Sequence, residues 1–158
     1  MLVFKDATAK ATVKVTDFGY STLVRSTDGR VFLPKSRPWN APEYRYGEFT
    51  VAEAKKTDIY SFGLLCLWVL FGSMRIQQNF AGCTFESSIG PRTSLEQLKD
   101  DDKVEHIANQ LLESVPLAGL NAMHRIRLKE FFSLTVLRNP EKRTSKFARL
   151  VSLLSQKR

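Results

Sequence analysis

Several things are scarce in this chain, and each shortage closes off a class of protein. Its 158 residues include only two cysteines, Cys66 and Cys83, and two histidines. No CxxC pair or Cys/His cluster occurs, which argues against a structural metal site. Two unpaired thiols, one in an apolar run and one in a polar stretch, fit a reducing compartment. The longest apolar run, residues 59–72, falls short of the ~20 residues that span a bilayer. Lys55, Lys56 and Asp58 crowd its start. The first ten residues, MLVFKDATAK, show no basic segment followed by an apolar core, so no secretory leader is visible. Repeats and low-complexity tracts are absent too. The expectation is an intracellular protein, cytoplasmic or nuclear, without a membrane partner.

What is present suits one globular domain. Apolar residues make up 43% of the chain and charged ones 25%, both ordinary for a soluble fold. A chain this long buries roughly 68–70% of its unfolded surface, enough for a real core. The net charge is +8 and unevenly spread: residues 117–158 hold ten basic and two acidic side chains, so the whole excess lies there. Such a patch can attract phosphate, nucleic acid or acidic peptides. With no nucleic-acid motif beside it, a solvated helical face is the preferred reading.

Hydrophobic periodicity then sketches the elements. Residues 1–4 and 12–16 read as two short strands around a polar hairpin loop. Residues 17–46 are rich in turn formers, with Gly19, Asp28-Gly29, Pro34, Pro38 and Pro42. So long an irregular stretch in a small domain points to function. Residues 50–55 predict a short helix with Thr50 and Glu53 as a capping box. Residues 58–71 predict a second, apolar on all sides and therefore a central core helix. Residues 94–114 predict a helix that the acidic cluster Asp100–Asp102 could interrupt. Residues 121–137 predict an amphipathic helix stopped at Asn139-Pro140. Residues 146–154 predict a last helix capped by Thr144 or Ser145. Residues 156–158 form a basic tail. The fold class is α+β, mostly helical, with a small N-terminal hairpin.

Four short motifs occur in a definite order. Asp17-Phe18-Gly19 follows the second strand. Asn40-Ala41-Pro42-Glu43 ends the irregular stretch. Asp58-Ile59-Tyr60-Ser61-Phe62-Gly63 opens the apolar run, and Asn139-Pro140-Glu141-Lys142-Arg143 follows the amphipathic helix. Each alone is weak, but their order and spacing over residues 1–155 resemble the C-terminal lobe of the eukaryotic protein kinase family.

The resemblance implies roles for particular residues. Asp17 matches the magnesium-binding carboxylate, a hard oxygen ligand of the kind Mg²⁺ takes beside phosphates. Phe18 would pack under the cleft, Gly19 would let the chain turn, and Leu2 would touch the adenine of ATP. Residues 17–43 would form the activation segment, a type of segment that orders when phosphorylated. Its hydroxyls include Ser21, Thr22, Ser26, Thr27 and Ser36, and none is singled out. Trp39 offers a flat surface either to a peptide substrate or to the core. Glu43 and Arg143 match a structural ion pair. Asp58 matches an Asp at the start of the central helix that holds the catalytic loop. Leu65 and Val69 match supports of an apolar column.

Phosphoryl transfer needs parts that these residues do not contain. The Gly-rich loop, the nucleotide lysine and the loop with base Asp and metal-binding Asn would lie upstream of Leu2. The resemblance thus implies a kinase C-lobe without its N-lobe. Mg²⁺ and ATP would belong to the complete domain, and no catalytic base lies in this chain. The expected function is phosphoryl transfer to protein Ser or Thr, with a protein substrate or docking protein as partner. With only Tyr20 between Gly19 and Ala41, a tyrosine kinase is the weaker option. The alternatives are a degenerate kinase-like interaction module and a basic helical nucleic-acid binder.

Overall fold

A computed structural model describes residues 2–5, 11–14, 29–34, 36–71, 95–117 and 119–155. Strands β1 (Leu2–Lys5) and β2 (Ala11–Lys14) pair antiparallel, with Leu2 opposite Lys14 and Lys5 opposite Ala11. The N-terminal hairpin and the helical remainder are as the periodicity predicts, and the class is α+β.

The turn-rich stretch is more regular than its composition suggests. Strand β3 (Arg30–Phe32) pairs antiparallel with β4 (Glu48–Thr50). Both alternate exposed, buried, exposed, and Val31 faces Phe49 across the pair. Three residues are too few for a period of two to stand out in sequence. Between them, Pro42–Tyr46 forms a 3-10 turn opened by Pro42, where the missing N–H costs nothing.

The two helices expected over 50–55 and 58–71 are one. Helix α1 (Val51–Phe71) begins at the capping box and runs without a break. Glu53 N–H donates to Thr50 Oγ1 (3.3 Å), and Thr50 N–H donates to Glu53 Oε2 (2.7 Å). Lys55, Lys56 and Thr57 contain no helix breaker, so propagation simply continues. The helix is less enclosed than an all-apolar run implies. Ile59, Tyr60, Leu64, Leu67 and Phe71 are buried, but Trp68 and Val69 are exposed.

The expected helix over 94–114 divides into α2 (Leu95–Asp100) and α3 (Val104–Ser114). The break falls at the acidic cluster, where Asp102 takes a left-handed φ of 57°, a conformation that Asp tolerates. Its Oδ1 accepts the Arg138 N–H at 2.9 Å, which ties the break to the chain beyond α4. Helix α4 (Ala122–Thr135) starts on a capping box between Asn121 and His124. Helix α5 (Phe147–Ser155) follows a 3-10 turn at Pro140–Lys142.

The core lies where α1, α3, α4 and α5 meet. It is built from Ile59, Tyr60, Leu64, Phe71, Ala108, Leu112, Phe131, Phe132 and Leu150. At Gly63, α1 and α4 come very close: a Cβ there would stand 2.6 Å from Thr135 Oγ1 and 2.7 Å from Val136 Cγ1. Gly63 is therefore a packing requirement.

Candidate functional site: a buried ion pair and the groove beside it

Glu43 in the 3-10 turn and Arg143 after α4 meet across a hundred positions of chain. The contact is bidentate, with Arg143 Nη1 donating to Glu43 Oε1 at 2.5 Å and Nη2 donating to Oε2 at 2.8 Å. The Arg143 side chain is fully buried and Glu43 nearly so. A guanidinium has five N–H donors. Here Nε donates to Leu137 O (2.6 Å), Nη1 also to Lys56 O (3.3 Å) and Nη2 also to Arg138 O (2.9 Å). Every donor is matched, which is what a buried charge requires. The Arg143 Cζ lies 4.6 Å from the centre of the Tyr60 ring, a cation–π arrangement. Thr57 Oγ1 donates to Glu43 Oε1 at 3.3 Å. Burial pushes the Tyr60 hydroxyl's pKa well above its usual value, and the hydroxyl has no hydrogen-bond partner among the described residues.

Beside this pair a groove of about 560 Å³ runs between β3, the loop 33–40 and the first turns of α1. Val31, Leu33, Tyr44 and Val51 supply apolar wall, while Ser36, Asn40, Asp58 and Ser61 supply polar groups. Trp39 meets Trp68 edge to face at 6.1 Å between ring centres. Tyr44 Oη donates to Leu33 O at 2.5 Å and its ring stacks near Phe49. Residues of two sequence motifs thus share one groove, Asn40 beside Trp39 on one side and Asp58 with Ser61 on the other.

Asp58 is not at the start of the central helix. It is the eighth residue of α1, because the helix extends back to Val51. The positive end of the helix dipole, which fades within the first turn, does not stabilise its carboxylate. Asp58 is exposed, and partial desolvation where it borders the groove raises its pKa above the ordinary carboxylate value. Leu65 is partly buried and Val69 is exposed. Leu2 opens β1 opposite Lys14. Asp17, Phe18 and Gly19 lie outside the described residues, as do Ser21, Thr22, Ser26, Thr27 and Cys83. Among the described residues no cluster of three or more His, Cys, Asp or Glu is grouped to hold a metal.

One residue of this site escapes a motif-based reading. Lys99 on α2 is 1% exposed, and its Nζ donates to Pro38 O (2.5 Å), Asn40 O (2.9 Å) and Glu96 Oε1 (2.9 Å). Its sequence signal was positional. Lys99 stands four residues after Leu95 and beside Leu98, on the apolar stripe of α2.

Much of the C-terminal basic excess is engaged internally. Arg125 donates to Leu112 O and to Val115 O (3.3 Å), closing the end of α3. Lys129 pairs with Glu113, and Arg149 pairs with Glu130. Arg138 donates to Asp100 O at 2.6 Å. No helix among the described residues is long and apolar enough to cross a membrane.

Comparison with known proteins adds a partial likeness. No family profile matches the chain, and no solved structure matches it. Over 67 residues, 42% of its length, the chain is 33% identical to the leucine-rich repeat receptor-like protein kinase TDR of Arabidopsis thaliana. The chain corresponds to 6% of that protein's length. In part of its sequence, therefore, this chain is similar to a receptor-like protein kinase.

Proposed function

We propose that the chain is the activation-segment and C-lobe portion of a protein serine/threonine kinase domain, whose complete form transfers the γ-phosphoryl group of Mg²⁺-bound ATP to protein hydroxyls. The observation that carries this reading is the Glu43–Arg143 pair. It joins the end of the segment beginning at Asp17 to the helical body, through two of the four motifs that suggested the family. Kinase catalysis is chiefly positioning and charge stabilisation, so a rigid anchor behind the substrate loop has an evident use. The likeness to a receptor-like kinase points the same way, as does the internal pairing of basic residues that a nucleic-acid binder would leave open.

In this reading Asp17 supplies a carboxylate to the metal, and Phe18, Gly19 and Leu2 border the nucleotide. Ser36, Trp39 and Asn40 face the peptide across the groove, and Asp58 serves the neighbouring catalytic loop. The test is phosphoryl transfer by the polypeptide that includes the upstream coding sequence. With Mg·ATP and a mixed Ser/Thr protein substrate it should incorporate phosphate. Asp17→Asn should then lower the rate by about a hundredfold or more, the scale of losing one key charge in a transition state. Incorporation no better than background, in an extended polypeptide that is folded, would instead support an interaction module.

A further inference from the structure

The loop that carries Trp39 is held in an unusual way. Its three successive carbonyls at positions 38, 39 and 40 are all taken by side chains from other elements. Lys99 takes Pro38 O and Asn40 O, and Ser61 Oγ donates to Trp39 O at 2.9 Å. Within the loop, Trp39 N–H donates to Ser36 O (2.8 Å) and Ser36 N–H donates to Asn40 Oδ1 (2.7 Å). An ammonium has three donors, and with Glu96 as third acceptor all three of Lys99 are used. Burying a charge is costly. A helix that needed only to pack could place a leucine at this stripe position, as it does at Leu98.

We propose that Lys99 is a positioning residue for the groove: its ammonium fixes the two carbonyls flanking Trp39 and so sets where that ring stands. The functional meaning rests on the kinase reading, in which Trp39 walls the substrate groove; the pin itself rests on geometry alone. The charged groups around the ammonium are Glu96 and Asp100 on α2 and Arg37 on the loop. Glu43 on the adjacent 3-10 turn is taken by Arg143. Burial lowers the Lys99 pKa, Arg37 pushes it the same way, and Glu96 opposes them.

Trp39 and Trp68 are the two tryptophans of the chain, so a Trp68→Phe background makes Trp39 a sole reporter. In that background Lys99→Met should raise acrylamide quenching of Trp39 towards the value of the unfolded chain, with helical circular dichroism retained. Glu96→Gln leaves both carbonyl bonds in place and should keep quenching near the parent value at neutral pH. Unchanged quenching in a folded Lys99→Met protein would overturn the proposal and reduce Lys99 to packing. If Lys99→Met does not fold, an alkaline titration decides. Quenching in the parent should rise as Lys99 loses its proton, and the rise should begin at lower pH in Glu96→Gln. Identical profiles, or none before secondary structure is lost, would sink the idea. None of these readings depends on phosphoryl transfer, so failure of the kinase assignment leaves the outcome interpretable.

Discussion

Two charged residues on neighbouring stretches of chain separate what a salt bridge can do. Arg143 is sealed and fully matched, whereas Arg149 makes a single 3.3 Å contact with Glu130 while half exposed. Removing a buried partner strands the other charge at a cost of about 3–5 kcal/mol. A surface pair contributes at most about 1 kcal/mol. Arg143→Ala should therefore melt far below Arg149→Ala, and equal melting temperatures would refute the distinction. Asp58 offers the opposite sign. Its folded pKa is raised by burial, so the folded state is favoured below the unfolded value near 3.9. That contribution is lost as pH rises through the folded value. Asp58→Asn should therefore stabilise the chain at pH 7, by less than about 1 kcal/mol because solvent screens an exposed group. The gain should vanish below about pH 4.

At the scale of elements, the close crossing of α1 and α4 depends on one absent side chain. Gly63→Ala would place a methyl under 3 Å from Thr135 and Val136. Overpacking of this kind costs about 1–3 kcal/mol, outweighing the ~1 kcal/mol gain in helix propensity. Chemical denaturation should show a net loss of stability. The capping box at Thr50 is the complementary case: Thr50→Ala should cost about 0.5–2 kcal/mol and speed amide exchange in the first turn of α1. Both features were legible in sequence to different degrees. The Thr50/Glu53 spacing announces the cap, and the helical periods place α4 and α5 within two residues. Gly63 reads only as part of a motif, since nothing local says which helix will cross there. Strands β3 and β4 were hidden because each has three residues and gains its meaning from the Val31–Phe49 contact. The Lys99 pin was equally hidden, because its acceptors are main-chain carbonyls about sixty positions away. Such acceptors leave no residue-type signature.

At the scale of the whole molecule, the described residues present several large apolar side chains to solvent. Phe32, Trp68, Val69, Ile126, Val151 and Leu154 are all exposed. Exposed apolar groups in number favour association. The 158-residue chain should therefore show concentration-dependent sedimentation, and Val69→Lys with Val151→Lys should suppress it without lowering the melting temperature. In a phosphotransfer assay the same chain should transfer no phosphate, because the base and nucleotide-binding parts of the proposed reaction are not among its residues.

Arg143 also makes a clock. Its guanidinium is satisfied only when Glu43, Lys56, Leu137 and Arg138 have all arrived, and the first two come from far up the chain. The charge has no half-buried resting place that is cheap, and closing a span this long is entropically slow. Refolding should leave this latch among the last contacts to click shut. An Arg143 variant would then speed the opening of the molecule far more than it slows the closing.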